Sequence, residues 1–211
     1  MKTASLASLV LILLALSSQS LLGEAETSPE QVLDTSGKVL REGVNYNILI
    51  SMPYTSCRSP QGLGLSKIGN SCPLDVVVVD INHRLPLRFI PVNPKKGVIR
   101  VATDLNIMFP DRNVTCPHHS TVWKVDNFHV SKGHRLVTTG GVVGYPGRET
   151  IGNWFKIEKY DGAYNYKLVY CPSVCPSCKH ECKNVGMVVD QNGNQRLALS
   201  DVPYQFRFFK A

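Results

Sequence analysis

Past residue 25, no window of the chain sustains the 3.6-residue apolar repeat of an amphipathic helix. Short β-branched and aromatic runs recur instead between clusters of Gly, Pro, Asn and Asp. Such a chain is built from many strands and few helices. The runs predict strands over Tyr46–Ser51, Leu63–Ile68, Val76–Val79, Leu87–Ile90, Val98–Thr103 and Val122–Val125 in the first half. In the second half they predict Arg135–Thr138, Trp154–Lys159, Tyr166–Tyr170, Val185–Val189, Leu197–Leu199 and Tyr204–Phe209. Turns are marked by Thr35-Ser36-Gly37, Asn93-Pro94, Gly140-Gly141, Tyr145-Pro146-Gly147 and Gln191-Asn192-Gly193, each with a residue that fixes φ or tolerates φ > 0. Strands spaced about a dozen residues apart predict an all-β sandwich or closed barrel. Periodicity does not choose between the two, and no internal repeat compels three-fold symmetry.

The N-terminus sets the compartment. Lys2 precedes an apolar stretch from Leu9 to Leu16 that is too short to span a bilayer and reads as a secretory signal. Gly23 and Ala25 are the small residues a signal peptidase prefers, so cleavage is expected after Ala25. The remainder, residues 26–211, is of a size that a single all-β domain commonly reaches. The formal net charge of +7 suits an acidic partner or a cell-wall polyanion. Nucleic acid is a poor fit, because the Lys and Arg residues are scattered singly among strands and turns.

Several blocks, taken in order, are similar to one known family. Val32-Leu33-Asp34-Thr35-Ser36-Gly37 followed by Asn45-Tyr46 resembles the opening of the Kunitz soybean trypsin inhibitor family, miraculin-like branch. Cys72-Pro73-Leu74-Asp75-Val76-Val77, Asp104-Leu105-Asn106-Ile107 and Ser120-Thr121-Val122-Trp123 continue the resemblance. So do Asn153-Trp154-Phe155-Lys156-Ile157-Glu158, Tyr166-Lys167-Leu168-Val169-Tyr170-Cys171-Pro172 and Arg196-Leu197-Ala198-Leu199-Ser200-Asp201. The resemblance implies a disulfide-stapled β-trefoil of about twelve strands. It also implies a secreted inhibitor of trypsin-like serine endopeptidases, reaching the apoplast or vacuole by the secretory route. The alternative within the family is a non-inhibitory trefoil with a storage, taste-modifying or carbohydrate-binding role.

Seven cysteines in an exported chain allow three bridges and one thiol left over. Sequence alone permits many pairings. The resemblance implies Cys72 with Cys116, Cys171 with Cys182, and Cys175 with Cys178, leaving Cys57 unpaired. The run Cys171-x3-Cys175-x2-Cys178-x3-Cys182, with His180 nearby, also has the donors of a zinc site, and its C-x-x-C those of a redox centre. An oxidising route favours disulfides, and Cys175-Pro176-Ser177-Cys178 does not open a helix after a strand, as a redox motif would. No metal and no cofactor is expected.

Family inhibitors present an extended loop between the fourth and fifth strands, and the resemblance puts Pro91, Asn93, Pro94, Lys95, Lys96 and Gly97 there. Lys95 falls at P1, where its ammonium would enter the acidic pocket of a trypsin-like protease. Pro91 and Pro94 are expected to bias this stretch toward an extended conformation, lowering the ordering cost of binding. Where active members often carry an Asn that props the loop, this chain has Glu42. Read without the resemblance, Asn-Pro-Lys-Lys-Gly is an ordinary exposed hairpin turn.

Nothing points to catalysis. His83, His118, His119, His129, His134 and His180 form no motif with Ser, Cys or carboxylate partners, and neither H-E-x-x-H nor G-x-S-x-G occurs. Asn113-Val114-Thr115 is an N-glycosylation sequon beside an expected loop. Two outcomes follow for the protein purified from a secreting host. Glycosidase treatment lowers its mass by one glycan at Asn113, and an unchanged mass rejects occupancy. The protein is expected as a monomer; if Cys57 links two copies, a non-reducing gel shows a dimer band that reductant abolishes, and a monomer under both conditions rejects the link.

Overall fold

Alternation organises the first strand. In β1 (Asn45–Ser51), Tyr46, Ile48 and Ile50 are buried while Asn45, Asn47 and Leu49 are half-buried, the period-two signature of a strand with one face inward. The computed structural model describes residues 28–51, 60–68, 72–110, 116, 119–131 and 133–211. The expected leader with Gly23 and Ala25, and likewise Cys57, Asn113 and His118, lie outside the described residues.

Eleven more strands follow: β2 (Gln61–Ser66), β3 (Asp75–Asp80), β4 (Leu87–Pro91), β5 (Leu105–Met108), β6 (Lys124–Ser131) and β7 (His134–Thr138), then β8 (Lys156–Lys159), β9 (Tyr166–Tyr170), β10 (Lys183–Val189), β11 (Gln195–Ser200) and β12 (Gln205–Lys210). Six of them close into a ring. β1 pairs with β12 and β4, β4 with β5, β8 with β9, and β9 with β12, all antiparallel. Leu105 of β5 and Phe155, just before β8, complete the circle by exchanging two N–H···O bonds of 2.9 Å. The other six strands form three hairpins, β2–β3, β6–β7 and β10–β11. The hairpins meet one another through the pairs Arg196–Val77, Ala198–Leu136 and Asp75–Thr138. Among the described residues this is a twelve-stranded all-β fold, a six-stranded barrel capped by three hairpins.

One expected strand needs correction. Val98–Thr103 is not a strand: Val98 and Arg100 make isolated bridges to Arg41 and Gln31, and Ala102 turns the chain with φ of 55°. The strand lies instead at Leu105–Met108, where Leu105, Asn106 and Ile107 are all buried and no alternation marks it. Helix is confined, among the described residues, to three 3-10 segments, Ile81–His83, Pro94–Lys96 and Arg148–Asn153.

Aromatic rings fill the interior. Phe89 stands edge-on to Phe208 at 5.3 Å, Tyr166 packs on Phe208 at 5.5 Å, and Trp123 meets Phe155 edge-on at 6.0 Å. Phe89, Phe208, Tyr166, Trp123 and Phe155 are fully buried, so truncating any one to Ala should cost about 3–5 kcal/mol. Two tyrosines also anchor the N-terminal segment, since the Tyr166 hydroxyl accepts from Leu33 N at 2.9 Å and the Tyr46 hydroxyl from Arg41 N at 2.9 Å.

Disulfides hold the long connections. Cys72–Cys116 ties the approach to β3 to the β5–β6 connection across 44 residues, worth about 4 kcal/mol in the chain-entropy model. Cys171–Cys182 and Cys175–Cys178 shape the β9–β10 connection across 11 and 3 residues. A buried carboxylate braces the same connection. Asp104 accepts from Ser173 N through both oxygens, at 3.2 and 3.0 Å, while Lys156 Nζ lies 3.9 Å away and donates to Ser173 Oγ at 2.6 Å.

Burial pushes the Asp104 carboxyl above its usual range, against the opposing pull of Lys156, the Ser173 amide and His180. A carboxyl raised on folding contributes stability that is complete below its unfolded pKa and is lost as pH rises through the folded value. Denaturant unfolding of the native chain and Asp104→Asn, compared at pH 7 and pH 3, should therefore show the difference moving in favour of the native chain at pH 3. Movement the other way refutes the assignment.

Candidate functional site

The β4–β5 connection carries every residue of the expected loop, and the barrel holds it at both ends. At its base, Val92 N donates to Asp104 O at 2.9 Å. On the returning limb, Glu42 N donates to Gly97 O at 3.2 Å, Ile99 N to Leu40 O at 3.0 Å, and Val32 N to Ile99 O at 3.0 Å. Ile99 is fully buried beneath this limb. Pro91 ends β4, and Asn93, Pro94 and Lys95 are exposed at the tip. Lys95 makes no hydrogen bond or ion pair with any described residue.

The expected extended conformation does not hold through Lys95. Asn93 is extended, with φ −114° and ψ 90°, but Pro94–Lys96 form one turn of 3-10 helix. Gly97, left-handed at φ 57°, closes that turn by donating to Pro94 O at 2.9 Å. Proline explains both the expectation and its failure. Its fixed φ suits an extended chain and the first residue of a helical turn equally, and at that first position its missing N–H costs nothing. Glu42 does reach the loop, through its backbone amide, whereas its carboxylate makes no hydrogen bond or ion pair among the described residues.

The cysteine-rich connection has geometry but not chemistry for a metal. Donor atoms of Cys171, His180 and Cys182 lie within 4.8 Å of one another. Both sulfurs are bonded to each other, so the thiolates a zinc ion needs are consumed. His180 Nδ1 is 3.2 Å from Cys178 O and its ring lies edge-on to Tyr170.

A second presented loop escaped the sequence reading. In the β7–β8 connection, Val142, Val143 and Tyr145 are exposed, Tyr145 to 81%. Fully buried Asn106 holds them from below: its Oδ1 accepts from Gly144 N at 2.8 Å and its Nδ2 donates to Asn153 O at 2.9 Å. Asn153 Nδ2 in turn donates to Val142 O at 3.2 Å, while Thr150 Oγ1 donates to Tyr145 O and accepts from Trp154 Nε1 at 3.2 Å. Gly141 cannot carry a side chain, because a Cβ would come within 2.6 Å of Trp123 O. The turn signals Gly140-Gly141 and Tyr145-Pro146-Gly147 marked this loop, but nothing local announces a brace from 38 residues away. With φ of 74° at Gly144 and 53° at Tyr145, its main chain is not extended and cannot pair as a substrate strand does.

Comparison with known proteins agrees with this architecture. The family model described as trypsin and protease inhibitor, of the legume Kunitz type, matches residues 32–210. Miraculin from Synsepalum dulcificum is 45% identical over 206 residues, covering 94% of this chain and 91% of that protein. Kunitz trypsin inhibitor 5 from Arabidopsis thaliana is 39% identical, with 88% of each chain covered. Among solved structures, the Kunitz-type cysteine protease inhibitor PCPI-3 from potato superposes with a TM-score of 0.73 at 35% identity, covering 87% of this chain and 98% of that one. The chain is therefore a non-enzymatic member of the legume-type Kunitz family of trypsin and protease inhibitors.

Proposed function

We propose that residues 26–211 are exported as one β-trefoil domain that blocks trypsin-like serine endopeptidases, with the Pro91–Gly97 loop as bait and Lys95 as the P1 side chain. The trefoil reading is supported by the six-strand ring and its three capping hairpins. The carrying observation for inhibition is an exposed lysine, with no partner among the described residues, at the tip of a loop whose two limbs are stitched to the barrel. A lysine held outward loses little solvation before it meets the buried carboxylate of a trypsin-like pocket.

The 3-10 turn does not outweigh that gain. Extending Lys95 into a substrate-like strand breaks the Gly97 N–Pro94 O bond, a net cost of about 0.5–1.5 kcal/mol. Truncating one member of a buried Lys–carboxylate pair costs about 2–5 kcal/mol, part of it the penalty of the charge left unpaired, and opening the turn on the protease surface costs no more than that.

A non-inhibitory role is the competing reading, and the same two features favour it: the closed turn and the unused Glu42 carboxylate. Titration of trypsin, chymotrypsin and a papain-like protease with the purified protein separates the two. Inhibition of trypsin alone is expected, and inhibition of none supports the competitor. Lys95→Ala should weaken trypsin binding by about 2–5 kcal/mol, roughly thirtyfold to several-thousandfold in inhibition constant. Unchanged inhibition by Lys95→Ala, with loss in Lys96→Ala, would shift the scissile bond by one residue and overturn the role of Lys95.

A further inference from the structure

Away from the loop, three arginines share the outer wall of the barrel. The outward positions of β1, β4 and β12 are fixed by register, with Asn45 opposite Arg88, Asn47 opposite Phe209, and Leu49 opposite Arg207. The inward partners Tyr46, Ile48, Leu87, Phe89, Phe206 and Phe208 are buried, so Arg88, Arg207, Asn45, Asn47 and Phe209 lie on the solvent side. Arg84, from the segment leading into β4, joins them by laying its guanidinium over the Phe209 ring at 5.2 Å. Arg88 lies beside Asn45 and Arg207 beside Leu49, on opposite sides of β1, so with strands about 4.8 Å apart and a rise of about 3.4 Å per residue their Cα positions are about 17 Å apart on the same outer face.

None of these arginines is neutralised locally. Lys156, Lys159, Lys167, Lys183 and Arg196 are the cations of the ion pairs among the described residues, and Arg84, Arg88 and Arg207 take part in none. Their contacts are to neutral groups. Arg84 Nη1 donates to Ile81 O at 2.5 Å, and Arg88 donates to Asn45 Oδ1 through Nε at 3.1 Å and Nη2 at 2.9 Å. The carboxylate closest in sequence to Arg84, Asp80, is occupied in capping Asn82 N at 2.9 Å. The Nε atoms of Arg84 and Arg207 are buried and Arg88 spends its Nε–Nη2 edge on Asn45, so what the three offer outward is the positive charge of their outer guanidinium nitrogens, which no carboxylate among the described residues neutralises and which suits a polyanion.

We propose that this wall binds an acidic polysaccharide, with Arg84, Arg88 and Arg207 meeting uronate carboxylates spaced along one chain and the Asn45 and Asn47 carboxamides meeting sugar hydroxyls. Three disulfides place the protein on an oxidising route, where such chains are met and nucleic acids are not. A membrane surface is a worse match, because Phe209, the aromatic ring of the wall, is covered by Arg84 and is not free to insert. The site is separate from Lys95, so it stands whether or not the loop inhibits a protease.

The test is affinity chromatography and titration with polygalacturonate at low salt, using neutral galactan, duplex DNA and anionic phospholipid vesicles as comparison ligands. Arg84→Gln/Arg88→Gln/Arg207→Gln should bind polygalacturonate about tenfold or more weakly, as expected for the loss of three partly exposed charge pairs. Arg84→Lys/Arg88→Lys/Arg207→Lys should bind more tightly than the glutamine variant and more weakly than the native chain, since lysine keeps the charge and loses the planar guanidinium. A variant losing the same charge elsewhere, Lys38→Gln/Arg148→Gln/Lys179→Gln, should bind like the native chain, with near-ultraviolet circular dichroism verifying the fold of all three. Equal weakening in the control variant, equal retention on neutral galactan, or a wall variant that loses DNA or vesicles but keeps polygalacturonate would each overturn the proposal.

Discussion

Closure of the six-strand ring is the constraint from which the rest of this structure follows. Four of its six junctions run over two or more residue pairs, whereas β9 meets β12 through Tyr166 and Phe206 and β5 meets the chain entering β8 through Leu105 and Phe155. A ring removes the open strand edges that an exposed sheet would present, and it encloses a volume that side chains must fill. Phe89, Phe208, Tyr166 and Phe155 fill it with edge-on and tilted contacts. Burial of such large apolar groups is the principal force holding the circle, since the single Leu105–Phe155 exchange contributes only about 1–3 kcal/mol on its own.

Strands of the barrel wall were legible in the sequence, because β-branched and aromatic residues crowd into them between turn residues. Tyr46–Ser51 and Tyr204–Phe209 read as strands for that reason, and β1 and β12 lie there. β5 was not legible, because Asn106 is buried for a purpose that is not local: its carboxamide holds a loop 38 residues on. Val98–Thr103 misled in the opposite sense. Ile99 is buried under the N-terminal segment and Val98 and Val101 are half-buried there, held by single bridges that satisfy the same hydrophobic demand without a ladder. The three-way meeting of hairpins was also out of reach, since each contact in it rests on one residue pair between segments far apart in sequence.

The candidate site was legible in position and not in shape. Proline and glycine announced a turn at Asn93–Gly97, and the turn is there, with Lys95 exposed. Whether a proline begins an extended run or a helical turn depends on ψ of the residues after it, and Gly97, free to take a left-handed φ, decided for the turn. The arginine wall was invisible for a different reason. Arg84, Arg88 and Arg207 become neighbours only once β12 returns beside β1, and in the sequence they are three of many scattered basic residues.

The fold thereby separates two demands that conflict in smaller proteins. Stability resides in the ring, in the Cys72–Cys116 bridge and in the brace of Asp104, Lys156 and Ser173, none of which contains Lys95 or the three wall arginines. The Lys95 loop is joined to that scaffold by backbone hydrogen bonds on its limbs, which depend on no particular side chain at its tip. Substitutions at the tip leave those bonds in place, so one barrel tolerates many bait sequences. The outward strand positions are placed by the same burial, because a solvent-facing arginine on β4 or β12 faces outward as its neighbours Phe89 and Phe208 face inward, and Arg88 is further oriented by its two hydrogen bonds to Asn45 Oδ1.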